Sequence, residues 1–364
     1  MSNRLDRVRS VLAKRGLDAA VITSPANRFY LSGYTADGPV GSAGAVLVDD
    51  TSIIVCTSAV NAGWATATVR PGVGVEQWER PWEPWLAERI GTAGWKTVGF
   101  EDTDLTVASF DALRSSERSP AWEPLGDSLD GLRMVKDDQE LDLITAAIRL
   151  NDDVFAAATR GLEAGTTERE LAWRIDREMR ERGGDGNAFE TIVAAGPNSA
   201  NPHHEPTDRP IVDGEPVIID MGVRTRGYLS DLTRTIWVGE PSPTLRAVYN
   251  VVFAANAAAI AAIRPGMTGV ESDQTARAVI AAAGYDEQFV HGLGHGIGIR
   301  IHEAPSMGKT HEDTVPVGAV ITIEPGIYIP EWGGVRIEDV GVVEATGLRI
   351  LTRAPKTDLS VDER

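Results

Sequence analysis

The feature that most constrains the fold is an internal repeat in the second half of the chain. Gly165 and Gly183, which the surrounding pattern places at the ends of two helices, return 101 residues later as Gly266 and Gly284. Glycine commonly ends helices. Strand-like runs with acidic residues follow each pair of helices in the same order. We therefore predict a duplicated helix-and-strand unit with a site on its pseudo-twofold axis, supplied by both halves.

The acidic residues lie in segments of one recurring type. Three strand-like, mainly apolar runs end in a carboxylate, and Asp231 stands just before a further predicted strand. The three runs are residues 217–220, 321–324 and 335–338. Glu324 follows Asp220 by 104 residues, and Glu338 follows Asp231 by 107, so the acids keep the order of the repeat. A single acid at a strand end is usually solvated, and only the repeated set indicates a site.

A stretch rich in histidine and glycine, residues 291–302, precedes the second pair of acids. It contains His291, His295 and His302, three of the six histidines, together with four glycines. Glycine lets a backbone approach a ligand closely, and imidazoles suit metal binding or proton transfer near neutral pH. Taken alone, the stretch could equally be a glycine-rich loop with solvent-facing histidines.

Four carboxylates and one imidazole form a candidate ligand set: Asp220, Asp231, His295, Glu324 and Glu338. Oxygen donors with a single nitrogen suit Mn²⁺, Co²⁺, Fe²⁺ or Zn²⁺ and do not suit a thiolate-type structural zinc. Four carboxylates carry too much charge for one divalent ion but balance two. Two such ions about 3.5–4 Å apart can activate one water between them.

Composition disfavours several other classes of protein. The net charge is −18, from 35 basic and 53 acidic residues, whereas nucleic acids and anionic membranes need a basic face. The single cysteine, Cys56, can form no internal disulfide and should pack as a small hydrophobe. No apolar run approaches about 18 residues, and the N-terminus lacks a signal-peptide core. A cytoplasmic protein is predicted.

The first part of the chain predicts a separate α/β domain. A helix with Leu5, Val8 and Leu12 on one face ends at Gly16, and a short buried strand follows. Further strands alternate with helices, which is typical of α/β domains. The glycine-rich residues 35–44 are predicted to form a loop. None of the six histidines lies in this domain.

The domain boundary is predicted from a change in composition. The chain has 364 residues, and single cores rarely grow past about 250 residues. Residues 116–132 are rich in Ser, Pro, Gly and Asp, which indicates a connector. We place the two domains at residues 1–125 and 126–364.

The C-terminal part resembles the pita-bread fold of the creatinase/methionine aminopeptidase superfamily, and within it the proline-peptidase branch. The motifs that carry the resemblance are residues 219–222, 227–235, 291–298, 301–305, 324–328 and 334–339. The N-terminal domain is similar to the creatinase-type domain around residues 24–33. The resemblance covers nearly the whole chain. It implies an α/β protein with an N-terminal creatinase-like domain followed by a duplicated pita-bread catalytic domain.

The resemblance also implies a role for each candidate ligand. Asp231 and Glu338 would bridge two metal ions, Asp220 would complete one ion, and His295 with Glu324 would complete the other. Manganese is the expected metal, with cobalt, zinc and iron as alternatives. Glu324 would also pass a proton toward the departing nitrogen.

Further side chains are expected around the ligands. The resemblance implies that His203 points at the substrate and that His291 and His302 handle protons or stabilise the transition state. Independently, Arg336 stands two residues before Glu338 and so on the same strand face. We expect it to orient that carboxylate.

The implied activity is hydrolysis of the Xaa-Pro bond at the N-terminus of dipeptides or short peptides by a hydroxide that bridges the two metals. The partners would be short proline-containing peptides and a second copy of the chain, whose N-terminal domain helps to close the neighbouring site. His204 and His311 are expected to be surface residues.

One departure from the resemblance concerns substrate length. Prolidases often place an arginine just after the His-Glu-x-Pro segment, where it can hold the carboxylate of a dipeptide. This chain has Ser306 there, with Arg300 and Lys309 near in sequence. Cleavage of longer peptides, as by an aminopeptidase P, therefore stays open.

Two other functions are compatible with the same scaffold. A metal-free binding subunit would lack several ligands, whereas all five are present here. A non-peptidase hydrolase or lyase that uses the metals remains an alternative.

Overall fold

The computed structural model describes residues 2–79 and 81–356. The chain divides into two compact units, Met1–Arg133 and Met134–Arg364. The first unit ends eight residues beyond position 125, where the composition changes.

The first unit contains a six-stranded sheet with the order β4-β3-β2-β1-β5-β6. Its strands are β1 (Ala19–Ile22), β2 (Ala45–Asp49), β3 (Ile53–Thr57), β4 (Gly74–Gln77), β5 (Thr97–Phe100) and β6 (Ala121–Pro124). The pairs β1–β2 and β2–β3 are antiparallel, and the other pairs are parallel. Cys56 is buried in this core, as predicted.

Helices flank this sheet. They are α1 (Ser2–Arg15), α2 (Pro25–Ser32), α3 (Val40–Ala43), α4 (Ala59–Thr68), α5 (Trp82–Ala93), α6 (Val107–Arg114) and α7 (Asp130–Met134). The predicted end of the first helix is confirmed, since Gly16 adopts a positive φ of 66° directly after α1.

Two predicted irregular segments contain regular structure. The loop expected at residues 35–44 includes α3, and buried Arg28 donates to the carbonyls of Ala36, Gly38 and Gly44 along it. The expected connector at residues 116–132 includes the edge strand β6, whose Trp122 packs edge-on against Phe100. Neither element is long enough to show a clear period in the sequence.

Four long helices belong to the second unit: α8 (Asp138–Thr159), α9 (Glu168–Glu181), α10 (Pro243–Ala262) and α11 (Gly269–Ala282). Reciprocal capping boxes begin α9 and α11, with Thr167 paired to Glu170 and Thr268 paired to Glu271. These boxes lie 101 residues apart, like the glycines that indicate the repeat.

The strands of the second unit show the same duplication. They are β7 (Gly186–Asn187), β8 (Ile192–Ala195), β9 (Val217–Met221), β10 (Val223–Thr225), β11 (Tyr228–Leu229), β12 (Leu232–Ile236), β13 (Gly294–Gly296), β14 (Glu303–Met307), β15 (Val320–Ile323), β16 (Gly326–Ile329), β17 (Gly333–Arg336), β18 (Asp339–Glu344) and β19 (Gly347–Ile350). The first repeat has the order β8-β9-β12, and the second has β13-β15-β18 with β14 and β19 at its edges. Equivalent strands therefore occupy equivalent places in two sheets.

Among the described residues, α10 is the one helix long and apolar enough to cross a membrane by length and composition. Its residues Val248, Val252 and Ala259 are fully buried in a core shared with Ile321 and Ile323 of β15. A core helix packed on a sheet meets the same criterion.

Candidate metal centre and substrate cavity

The five predicted ligands meet where strands of the two repeats end. Asp220 lies in β9, Asp231 directly precedes β12, and His295 lies in β13. Glu324 directly follows β15, and Glu338 directly precedes β18. All five line one cavity of about 990 Å³. Corresponding strands of the repeat therefore deliver the acids in pairs.

The distances within the cluster suit a metal site. His295 Nε2 lies 3.3 Å from Glu324 Oε1 and 3.7 Å from Asp231 Oδ2. One ligand atom from each of Asp231, His295 and Glu338 lies within 4.8 Å of the others. Side chains at these separations can reach a common ion.

Two buried oxygens in the cluster have no hydrogen-bond partner among the described residues. They are Asp220 Oδ1 and Glu338 Oε1. A buried carboxylate oxygen without a partner is costly, and a divalent cation would satisfy both atoms. The donor set and these unsatisfied oxygens therefore fit bound divalent metals.

The charges lead to the same conclusion. Burial, followed by the charges of the neighbouring acids, raises the pKa of Asp231 and that of Glu338 well above their usual values. Burial also raises the pKa of Asp220, and Arg336 opposes this shift. Four buried carboxylates cannot all ionise against each other without cations. Two divalent ions would allow them to do so.

Glu324 and His295 influence each other's pKa across a distance of 3.3 Å. Burial raises the pKa of Glu324, but the hydrogen bond and charge of His295, with His291 and Arg336, lower it to about 2. Burial lowers the pKa of His295, but Glu324 outweighs this and raises it to about 9. A metal bound to His295 would displace its proton, since coordination requires neutral imidazole.

Arg336 holds several groups of the site in place. Its Nη2 donates to Asp220 Oδ2 at 2.6 Å, its Nη1 to Tyr328 Oη at 2.8 Å, and its Nε to Thr233 Oγ1 at 3.1 Å. Thr233 Oγ1 in turn donates to Glu338 Oε2 at 2.9 Å. Arg336 thus reaches Glu338, the carboxylate that it is expected to orient, through Thr233, and the carboxylate that it contacts directly is Asp220. Strand β17 ends at Arg336, so the two-residue alternation does not continue.

His291 is held by two hydrogen bonds. Its Nδ1 lies 2.7 Å from Gly292 O and its Nε2 lies 2.9 Å from Tyr328 Oη. Because a carbonyl only accepts, Nδ1 carries the proton and Nε2 of the neutral ring accepts from the phenol. Burial lowers the pKa of His291, which favours the neutral ring. Burial raises the pKa of Tyr328 to about 12, which keeps the phenol a donor.

The other predicted histidines also face the cavity. His302 stands edge-on to His295 with ring centroids 4.4 Å apart, and burial, followed by the charge of His295, lowers its pKa. His203 is exposed and lines the cavity, so the structure brings it to the site without a direct contact to the ligands. All six histidines of the chain line this one cavity.

The two histidines expected at the surface differ from each other. His311 is exposed, as expected, although it also lines the cavity. His204 is not a surface residue: its side chain is 13% exposed, and its Nε2 lies 2.9 Å from Oε2 of Glu168. The sequence contained one sign that Glu168 has a special partner. The first repeat has Glu168 where the second has Gly269, so the repeated fold does not itself require an acid at this position.

Tyr328 and Thr233 are further residues of the site, and the sequence pattern does not single them out. Each stands inside a quoted motif, 324–328 or 227–235, but no sequence spacing links either residue to Arg336. The contact of Thr233 with Arg336 forms only when the two repeats are brought together, and that of Tyr328 forms when β16 pairs with β17.

The walls beyond the acids are mainly apolar. They include Phe189, Ile192, Val290, Ile301 and Met307. Ser306 lies directly across the β13–β14 pair from His295 and also lines the cavity. The cavity thus combines an acidic, histidine-rich floor with an apolar wall.

Comparison with known proteins covers both units. The family description "Metallopeptidase family M24" matches residues 142–345, and "Creatinase/Prolidase N-terminal domain" matches residues 4–135. A Xaa-Pro dipeptidase of Lactobacillus delbrueckii subsp. lactis is 36% identical over 358 residues, covering 97% of each chain. The structure of a Xaa-Pro dipeptidase from Bacillus anthracis has a TM-score of 0.91 and 33% identity, covering 98% of each chain. An X-Pro aminopeptidase from Thermotoga maritima has a TM-score of 0.88 and 30% identity, covering 97% of this chain and 99% of that one.

Proposed function

The chain belongs to metallopeptidase family M24 and carries a creatinase/prolidase N-terminal domain, and on this basis we propose that it hydrolyses the Xaa-Pro bond at the N-terminus of dipeptides or short peptides. The observation that supports this most directly is the buried ligand set, in which Asp220 Oδ1 and Glu338 Oε1 lack any other partner among the described residues. The relatives of both named activities cover nearly the whole chain.

The proposed metal content is two divalent ions per chain, with manganese as the expected metal and cobalt, zinc or iron as alternatives. Asp231 and Glu338 would bridge the ions, Asp220 would complete one, and His295 with Glu324 the other. The bound ions would supply an activated water and a Lewis acid for the scissile carbonyl. Four carboxylates balance the charge of two such ions.

Protein groups supply the remaining chemistry. Glu324, whose carboxylate lies 3.3 Å from His295, would accept a proton from the attacking water and pass it to the departing nitrogen. His302, beside His295, would hydrogen-bond the carbonyl oxygen as it gains negative charge. His291 is held neutral between Gly292 and Tyr328 and serves proton handling at the same wall.

Proline selectivity follows from the bond that is broken. The nitrogen of an Xaa-Pro bond carries no hydrogen, and the ring fixes the backbone. A suitable site needs an apolar wall for the ring and no acceptor for an amide hydrogen. The side chains of Ile192, Val290, Ile301 and Met307 supply such a wall beside the acids.

The length of the substrate is proposed from Ser306. A dipeptidase must bind a free carboxylate one residue beyond the scissile bond, and a buried carboxylate without a cation costs several kcal/mol. Ser306, which lies beside His295 across the strand pair, carries no charge. We therefore expect the enzyme to accept Xaa-Pro-Yaa tripeptides as well as Xaa-Pro dipeptides.

A homodimer is proposed, with α4 as part of its contact surface. Helix α4 contains no charged residue, yet Val60 is 90% exposed and Trp64 is 47% exposed one turn further on. Exposed apolar faces of this kind commonly mark interaction sites. Two copies that each carry a net charge of −18 repel least at an uncharged surface. The proposed location is the cytoplasm, which agrees with a single buried, unpaired cysteine.

The experiment that tests the proposed function is a substrate panel. Xaa-Pro dipeptides, Xaa-Pro-Yaa tripeptides and proline-free peptides of equal length are assayed with Mn²⁺, Co²⁺ or Zn²⁺. We expect hydrolysis of both proline series, with kcat/KM values within about tenfold of each other, and none of the controls. Lys309→Ala tests the alternative cation. If tripeptides are not cleaved and Lys309→Ala abolishes dipeptide turnover, the enzyme is a strict dipeptidase.

A further inference from the structure

Glu168, in the first turn of α9, is a fully buried carboxylate. Its oxygens accept five hydrogen bonds from one segment, residues 195–207, here called the anchored segment. Oε1 accepts from Ala195 N (2.7 Å) and Asn198 Nδ2 (3.0 Å), and Oε2 accepts from His204 Nε2, Thr207 N and Thr207 Oγ1 (2.9, 2.9 and 2.6 Å). One side chain thus holds both ends of a segment of thirteen residues.

The anchored segment carries two of the cavity histidines. His203 is exposed at the cavity, and His204 lines the same cavity with 13% of its side chain exposed. Because an ionised carboxylate only accepts hydrogen bonds, His204 Nε2 is the donor to Glu168. The hydrogen bond from Nε2 to Glu168 therefore fixes the orientation of the His204 ring, and Nδ1 is the nitrogen that can bind another partner.

Glu168 remains charged in this position. Burial raises its pKa, but the hydrogen bonds from Thr207, Ala195, His204 and Asn198 outweigh burial and lower it. Because five donors surround the Glu168 carboxylate, the side chain at this position must offer acceptors alone. A neutral amide of the same shape would therefore turn its NH₂ group toward other donors.

The second repeat shows that the fold does not require an acid here. Gly269 is the equivalent residue: its N–H donates to Asp313 O at 3.0 Å, as Glu168 N donates to Arg209 O at 3.1 Å. A Cβ on Gly269 would lie only 2.2 Å from Ser306 O, so no side chain fits there. Glu168 is therefore particular to the first repeat, in which it contacts the segment that carries His203 and His204.

We propose that Glu168 is a positioning residue for substrate binding, which fixes the anchored segment and thereby presents His203 and His204 to the bound peptide. The identity of the peptide rests on the proposed function, whereas the positioning of the segment does not. Neither Glu168 nor His204 is among the proposed metal ligands, so metal binding should not depend on them.

Two variants and a control test this inference. Glu168→Gln keeps the shape of the side chain but places an NH₂ donor among the donors of the anchored segment. His204→Gln removes the imidazole ring but leaves the other four hydrogen bonds to Glu168. Asp208→Asn is the control, because Asp208 is exposed and pairs with Arg169 at 2.7 Å outside the segment. Each protein is compared with wild type in hydrogen–deuterium exchange, metal content and kinetics on an Xaa-Pro dipeptide.

We expect faster exchange at Ala195 and Thr207 in Glu168→Gln, with metal content unchanged. KM should rise about tenfold in both variants, the size expected when a hydrogen bond to a charged group is lost. The kcat should stay within about threefold of wild type, since neither variant changes a proposed metal ligand. Asp208→Asn should match wild type in every readout.

Each other outcome is decisive. Unchanged exchange in Glu168→Gln contradicts the positioning role. Faster exchange with wild-type KM in both variants contradicts the role in substrate binding. If Glu168→Gln does not fold, the KM of His204→Gln alone decides the kinetic part. Wild type that is inactive on all Xaa-Pro substrates contradicts the proposed function, while the exchange data still decide the positioning.

Discussion

Arg336 connects side chains from three strands of the second unit. It is buried and donates to Asp220 in β9, Thr233 in β12 and Tyr328 in β16. Tyr328 extends the chain of hydrogen bonds to His291. A planar guanidinium can serve three acceptors in fixed directions, whereas a lysine supplies one point charge. The orientation of Asp220 and that of His291 therefore depend on the same side chain.

At the residue scale, removing the imidazole of either His291 or His302 should slow catalysis without loss of metal. His291→Ala and His302→Ala should each lower kcat by roughly 10²-fold, the size expected for lost proton transfer or oxyanion stabilisation. Elemental analysis of the same preparations provides the control. Loss of metal together with activity would show that the residue is a ligand and that its proposed role is wrong.

A second prediction at this scale concerns pH and Asp49. Burial raises the pKa of Asp49, but hydrogen bonds from Ser52 and Thr51 outweigh burial and lower it below its usual value of 3.8. The folded state thus favours the ionised form, so this contribution to stability is present above pH 3.8 and is lost as pH falls through the folded-state pKa.

The measurement for Asp49 compares urea unfolding of wild type and Asp49→Asn at pH 7 and near pH 3. Wild type should be the more stable protein at pH 7, and the difference between the two proteins should shrink at the lower pH. A difference in unfolding free energy that does not change with pH would contradict the prediction.

The residues of the site differ in how far sequence could identify them. Asp220, Glu324 and Glu338 each end an apolar run, and this pattern can be recognised in the sequence alone. The partner of Arg336 could not be predicted, because it depends on where β17 stops. His204 is assigned wrongly for a similar reason: its partner Glu168 lies 36 residues away on α9.

At the scale of elements, the repeat is the best-predicted feature. Helix caps and glycine turns are set by local chemistry, so Thr167 and Thr268 reproduce the same capping box in both halves. Short elements are less predictable. The four-residue helix α3 and strand β6 are stabilised by contacts with the rest of their unit, including Arg28 and Phe100.

The proposed dimer surface on α4 gives a prediction at this scale. Val60→Glu places a charge on the apolar face and should convert the dimer to monomers in sedimentation velocity. Val107→Glu is the matched control, because Val107 is also exposed, at 77%, but lies on α6. A monomeric wild type, or a Val60→Glu variant that sediments like a dimeric wild type, would contradict the assignment of α4.

At the scale of the whole molecule, the predicted architecture is confirmed. The chain has a creatinase-like α/β domain and a duplicated catalytic domain, and solved relatives match it over nearly its full length. The arrangement of the catalytic domain could be predicted from sequence, because the duplication shows which strands correspond and hence which acids meet. For the choice between dipeptides and longer peptides, the sequence supplies only the uncharged Ser306, whereas the shape of the cavity around it becomes known from the structure.

We propose that paired acids from the two repeats hold two metals that drive Xaa-Pro hydrolysis. The most direct test of this proposal is the hydrolysis of an Xaa-Pro dipeptide by metal-free protein during titration with Mn²⁺, with bound metal measured at each point. We expect activity to reach its maximum at two bound ions per chain, and Glu338→Ala to lose most of the metal and nearly all activity. Full activity at one bound ion, or an active Glu338→Ala variant, would show that two metals held by these acids are not required.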